Sequence, residues 1–192
     1  MRKITFLLIF CAAAAARGGF ERGGGGARPA GLGGAMAALR GDVWSALGNP
    51  AGLATVRGAQ AGFSVSPAPF GLRELADRAA AAAVPFHGLV GAVSGRSTGY
   101  TLYTELELGC SLAWRLGGAS FGVSVERSSA SIQGYGAAAA TALHAGVLVP
   151  IADGVEAGLL ARSFNAPTIG AAREPLPASI DRKSTRLNSS HT

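Results

Sequence analysis

Few residues of this chain stand at spacings that chemistry could use. Glu105 and Glu107 lie two apart, a carboxylate pair that would serve acid–base catalysis only inside one enclosed site. In Glu105–Trp114 (ELELGCSLAW) each glutamate is followed by leucine. On a strand that spacing puts both carboxylates on one polar face, where a lumen-facing surface explains them. His87 and His144 are isolated, with no second ligand at metal-binding spacing. Cys110 falls among leucines on the apolar side of the same stretch and reads as a small packed hydrophobe. The glycine runs Gly23–Gly26 and Gly31-Leu32-Gly33-Gly34 follow no strand and precede no Lys-Ser/Thr pair, so phosphate-loop and dinucleotide readings fail. The expectation is a protein that is not an enzyme, with no cofactor and no metal.

The elements that position these residues are strands. Leu106, Leu108, Cys110, Leu112 and Trp114 alternate with Glu105, Glu107, Gly109, Ser111 and Ala113, the two-residue period of a strand with one face buried. After Leu116-Gly117-Gly118, Phe121, Val123 and Val125 alternate with Ser120, Gly122, Ser124 and Glu126, which makes a hairpin. A second hairpin is expected at Ile151-Ala152-Asp153-Gly154. It is flanked by Leu143, Ala145, Val147 and Val149 on one side and by Val155, Ala157, Leu159 and Ala161 on the other. Weaker strands are expected at Arg57–Ser66, Ala79–Pro85 and Gly88–Ser94, for about seven in all. The fold class is all-β and antiparallel. Strands of this length suit either a tilted bilayer crossing, with Trp114 at an interfacial girdle, or a soluble sandwich. Alternation alone leaves both open.

The two ends differ from the body. Residues 1–16 (MRKITFLLIFCAAAAA) run from cations to an apolar stretch to small residues, the order of a secretory signal peptide, with cleavage expected after Ala16. Phe10 before Cys11 argues against a lipoprotein site, and Cys110 is then the one cysteine left, so no intrachain disulfide is expected. Residues 17–180 contain no lysine, whereas the last twelve, DRKSTRLNSSHT, bring Lys183, Asn188 and a Ser/Thr cluster together. That string resembles the in-frame translation of a sequencing-library adapter. Residues 181–192 are therefore set apart as non-native, with the natural chain expected to continue beyond Ile180. The net charge of +6 shrinks accordingly: without residues 1–16 and 181–192, 12 basic face 10 acidic residues. The arginines are scattered, so no nucleic-acid partner is expected.

Residues 27–54 (ARPAGLGGAMAALRGDVWSALGNPAGLA) carry identity. A glycine-rich stretch, then Asp42, Trp44-Ser45-Ala46 and Asn49-Pro50-Ala51-Gly52-Leu53, resembles the N-terminal segment of FadL-type outer-membrane transport proteins and their PorV/PorQ-like relatives. Ser131–Gly136, Phe164-Asn165-Ala166-Pro167 and Glu174-Pro175-Leu176-Pro177 resemble the PorV-like branch. The resemblance implies an incomplete transmembrane β-barrel over residues 57–180, with residues 17–56 as a hatch-like plug in its lumen. It implies location in the bacterial outer membrane and contact with outer-membrane lipid. Its function would be uptake or binding of hydrophobic molecules, or alternatively service to a protein-secretion system with secreted protein cargo. Gly33, Gly34, Asp42, Asn49, Pro50 and Ala51 become the plug or gating residues, and Trp44, Leu47 and Leu53 candidates for a lumen pocket. From the residues themselves, Gly33 and Gly34 permit positive φ. Ala35–Leu39 can form a helical turn or two, and Asp42 can cap a short helix over Val43–Leu47. Gly48-Asn49 can stop that helix before Pro50. Asn49 then either fixes a buried turn through backbone hydrogen bonds or takes part in gating.

Overall fold

The computed structural model describes residues 25–34, 36–152, 155–170, 173–176 and 178–186. The expected signal peptide, Cys11, Ala35, the turn at Asp153-Gly154, Pro177 and the end of the tail lie outside the described residues. Seven hairpin-linked strands follow one another: β1 (Gln60–Ser66), β2 (Asp77–Phe86), β3 (Leu89–Tyr100), β4 (Tyr103–Leu116), β5 (Ala119–Ile132), β6 (Gly136–Ala152) and β7 (Val155–Arg162). A two-strand ribbon, β8 (Thr168–Ile169) with β9 (Glu174–Pro175), precedes β10 (Ser179–Arg186). The sheet is an antiparallel meander in the order β1-β2-β3-β4-β5-β6-β7-β10. It is open, with β1 and β10 as its edges among the described residues.

Local sequence explains the turns. At the β2–β3 and β4–β5 connections, His87 and Gly88 (φ 47 and 81) and Gly117 and Gly118 (φ 57 and 88) are both left-handed. This is the two-residue geometry whose twist suits a hairpin. Several strands run further than alternation suggested. β5 continues through Arg127–Ile132 and β6 begins at Gly136, where serine and alanine runs carry no apolar period. Six residues of the segment set apart at the C-terminus, 181–186, run in β10 beside β7, with Arg182 opposite Leu159.

The N-terminal segment lies on one face of the sheet. Helix α1 (Ala27–Gly31) is followed by two short 3-10 helices, Val43–Leu47 and Pro50–Thr55. Of the helical turn expected over Ala35–Leu39, the described residues 36–39 show one hydrogen bond, Leu39 N–H to the Met36 carbonyl, and the α-helix forms earlier. Val43, Ala46, Leu53 and Val56 pack onto Ala81, Ala83, Val90, Ala92 and Ala113, with Trp44 alongside. Alanines on the sheet side of this contact let the plug backbone come close. Ala113 is fully buried there, so Ala113→Leu should overpack the contact and lower stability by about 1–3 kcal/mol. Urea unfolding in detergent would measure it, and Leu112→Met on the opposite face should leave the midpoint nearly unchanged.

Candidate functional site: the plug seat and the polar face

Asn49 is the centre of the seat. It has no solvent exposure. Its Oδ1 accepts from the Ala51 N–H at 3.1 Å, capping the second 3-10 helix, which Pro50 opens. Its Nδ2 donates to the Ala37 carbonyl at 2.6 Å, the Leu159 carbonyl at 3.3 Å and the Val147 carbonyl at 3.5 Å. One carboxamide thus joins the plug to itself and to β6 and β7. It fits because the strands offer glycine: a Cβ at Gly146 would collide with Asn49 Oδ1, one at Gly122 with Pro50 and Ala51, and one at Gly158 with Ala37. Gly122 and Gly146 are register partners on adjacent strands. Sequence reading counted these glycines as small residues of a polar face. The signal that could have exposed them is the alignment of Gly122 with Gly146, with Gly158 one inward position away on β7, opposite Leu148.

The other plug residues divide. Asp42 caps Val43–Leu47 by accepting from the Trp44 N–H at 3.0 Å, and it holds Arg28 at 3.2 Å. Gly48 ends that helix, donating to the Ser45 carbonyl. Gly33 and Gly34 have positive φ (60 and 76) with open space beside them, so they shape a turn and do not touch the seat. The three pocket candidates are packing residues to different degrees. Leu53 is fully buried in the plug–sheet contact. Trp44 lies against Gly25, Gly26 and Gly62, and Leu47 against Gly25. Arg40 and Glu156 add an ion pair from plug to β7, and Gln60 Nε2 donates to the Gly41 carbonyl at 3.4 Å from β1.

Beyond the plug, the same face is polar and buried. Arg96 Nε donates to Asp77 Oδ1 at 2.6 Å, and Thr98 Oγ1 donates to the same oxygen at 2.9 Å. Ser128 Oγ donates to Glu126 Oε1 at 3.2 Å. His144 Nδ1 accepts from the Ser163 N–H at 3.0 Å, which leaves the proton of the neutral ring on Nε2, 3.8 Å from Glu126 Oε1. Glu105 accepts from the Tyr103 hydroxyl at 2.6 Å. Glu107 and Glu126 are each only 6% exposed. The opposite face reverses this: Val93 is 57% and Leu108 53% exposed, with Leu106, Leu112, Val123, Val125, Leu143 and Leu159 also exposed. Cys110 is exposed there too, among apolar side chains but not buried by them. Trp114 and Phe121 stack on this face at 6.1 Å between ring centres.

Gly95-Arg96-Ser97-Thr98-Gly99 matches Gly-x-Ser-x-Gly by letter, a match that sequence reading passed over. It runs through the middle of β3 and lacks the strand–turn–helix bend that exposes a nucleophile. Among the described residues no three His, Cys, Asp or Glu side chains converge as metal ligands.

Asn49→Ala should cost about 2–4 kcal/mol, because buried carbonyls lose their donor and the helix its cap. Gly146→Ala should cost a similar amount or more, by driving a methyl into the carboxamide. Joined with Asn49→Ala, it should cost less than the sum of the two, a coupling that urea unfolding of the four-member cycle would measure. Compared with protein-family models, curated proteins and solved structures, the chain finds no match, so geometry and the residues themselves carry the functional reading.

Proposed function

We propose that the protein is an outer-membrane β-barrel component, with the sheet as part of a barrel wall and the N-terminal segment as a plug on its luminal side. The observation that carries this reading is the inversion of the sheet. A soluble sandwich buries its leucines and valines and wets its glutamates. Here Arg96, Glu107, Glu126, His144 and Glu156 are buried toward the plug side, and the aliphatic side chains face out. A lipid-facing wall needs that arrangement.

The dimensions agree. On β4, outward positions run from Leu106 through Leu108, Cys110, Leu112 and Trp114 to Leu116. Those ten residue steps cover roughly 33 Å along the strand, or roughly 25 Å of depth at a tilt of about 40°, the height of a barrel's apolar band. Phe86, Leu89, Trp114 and Phe121 are aligned across β2–β5 near the short turns, as an aromatic girdle would be. Toward the other end polar residues stand beside the last leucines of β4 at outward positions, Arg78, Ser97 and Ser129 in line with Leu106, and Arg127 and Thr141 in line with Leu108. The transport of hydrophobic molecules rests on the resemblance of residues 27–54 to FadL-type proteins, and the plug seat gives that segment a fixed place against the wall.

The two tryptophans make the test direct. In a Trp44→Phe variant only Trp114 reports. The chain, refolded from urea with phospholipid vesicles, should float with them, and lipids brominated along the acyl chain should quench Trp114 strongly. Cys110→Arg, in mid-band between Val93 and Val125, should cut the bound fraction, since a cation at the bilayer midplane costs about 2–4 kcal/mol. A soluble product that does not float, or a Trp114 blind to brominated chains, would overturn the reading.

A further inference from the structure

Strand β6 outruns its neighbour. It extends from Gly136 to Ala152, whereas its ladder with β7 starts at Ala145 opposite Ala161 and β7 ends at Arg162. On the far side β5 stays paired with β6 up to Gly136. The stretch 136–144 of β6 therefore has a strand on one side only. What continues the ladder on the other side is the Phe164-Asn165-Ala166-Pro167 motif. Phe164 N–H donates to the Leu143 carbonyl at 3.1 Å. Asn165 Oδ1 accepts from the Leu143 N–H at 2.9 Å, and its Nδ2 donates to the Thr141 carbonyl at 2.9 Å. The carboxamide presents one acceptor and one donor to the edge, as the peptide group of a neighbouring strand would.

The geometry points to residues 163–170 as a strap that closes a releasable seam in the wall beside β6, with Asn165 as its latch. Two features make the seam easier to open than the rest of the sheet. The first is its bonding: of the four hydrogen bonds from the strap to β6 among the described residues, two come from a side chain that turns about χ1 and χ2, and Phe164 and Asn165 are exposed, so water can replace them. The second is backbone strain. Ser163 and Ala166 are left-handed (φ 47 and 45) without being glycine, a conformation that residues with a Cβ adopt at a cost that lifting the strap would relieve. The strap's root is anchored inside, where the buried Ser163 donates to His144 Nδ1. Opening the seam would therefore also free His144 beside Glu126, and connect the polar face to the outside along the edge of β6. The inference concerns the joint between β6 and the strap and stands whether or not the apolar face meets lipid.

Hydrogen exchange on the full chain, refolded in detergent micelles, reads the latch at one amide. The Leu143 amide should exchange faster than the amides of Val93 and Leu112 within β3 and β4. Asn165→Ala should accelerate it about tenfold, the effect of losing roughly one net hydrogen bond of about 1.4 kcal/mol, with Val93 and Leu112 unchanged. Ala166→Gly removes the strain without touching the latch, and should slow exchange at Leu143 by about threefold. These opposite responses separate a seam from a residue that merely supports the fold. The proposal fails if Asn165→Ala leaves Leu143 as protected as before, or if both variants speed exchange evenly through β3–β6. Should Asn165→Ala not fold, Ala166→Gly decides alone: slower exchange confined to the seam supports the latch, and unchanged exchange overturns it.

Discussion

Asn49 can reach β6 and β7 only where those strands carry no side chain, and this requirement organises much of the molecule. A strand whose alternate residues face a packed plug must offer volume at the contact, and glycine is the limiting case. With Gly122, Gly146 and Gly158 in place, the Asn49-Pro50-Ala51 backbone lies almost on the strand backbones, and its carboxamide meets their carbonyls directly. A two-residue slip of β6 would keep the same face inward but bring His144 or Leu148 to the seat. The plug therefore reads the register of the sheet as well as covering it. In a sheet whose plug-side residues are mostly small or polar, hydrophobic pattern alone discriminates register poorly. A buried side chain that fits one position supplies what the pattern lacks.

The inversion of the sheet has a second consequence. Hydrophobic burial between plug and sheet falls in a patch around Leu53 and a smaller one of Ala38, Ala51 and Leu148, and most of the sheet residues in the first are alanine. Apart from Val90, Leu148 and Leu160, the large aliphatic residues of β3–β7 are mostly on the other face, exposed. In water such a sheet would leave most of its apolar area solvated, so its stability must come from an apolar surrounding or from the hydrogen-bonded ladder. Carboxylates on the inward face are held by near neighbours, as in Ser128–Glu126 and Asp77–Arg96. That satisfies them without requiring bulk water at the same place.

How much of this was legible depended on whether a residue's role is periodic. The strand faces of β4, β5 and β7 could be read because leucine and valine mark one side, and β7 was placed at its observed bounds, Val155–Arg162. The cap at Asp42 and the break at Gly48 and Pro50 could be read because their chemistry is local. The upper halves of β5 and β6 could not, since Ser128–Ser131 and Ala137–Ala140 put small residues on both faces. The glycine seat was hidden for a related reason. A glycine on an alternating strand looks like any small inward residue, and only the approach of a distant segment shows why it has no side chain. The plug's asparagine was singled out, but its partners lie about a hundred residues away, where no local rule reaches.

The mismatch between β6 and β7 joins these observations. A seventeen-residue strand beside an eight-residue one leaves an edge that cannot remain bare, whether in water, where it would recruit other strands, or in lipid, where its groups would lack partners. Extending β7 would have sealed it permanently. The chain instead turns at Ser163, spends two left-handed residues, and covers the edge with a side chain that imitates a strand. Four residues along the same strand from Leu143, at Val147, Asn49 does the opposite work, binding strand carbonyls from inside a fully buried seat. The two carboxamides therefore meet the middle of β6 at nearby residues, Val147 and Leu143, in contrasting settings, one without solvent access and one exposed. That contrast puts the firm part of the sheet at the buried carboxamide and, on the inference drawn above, its yielding part at the strap.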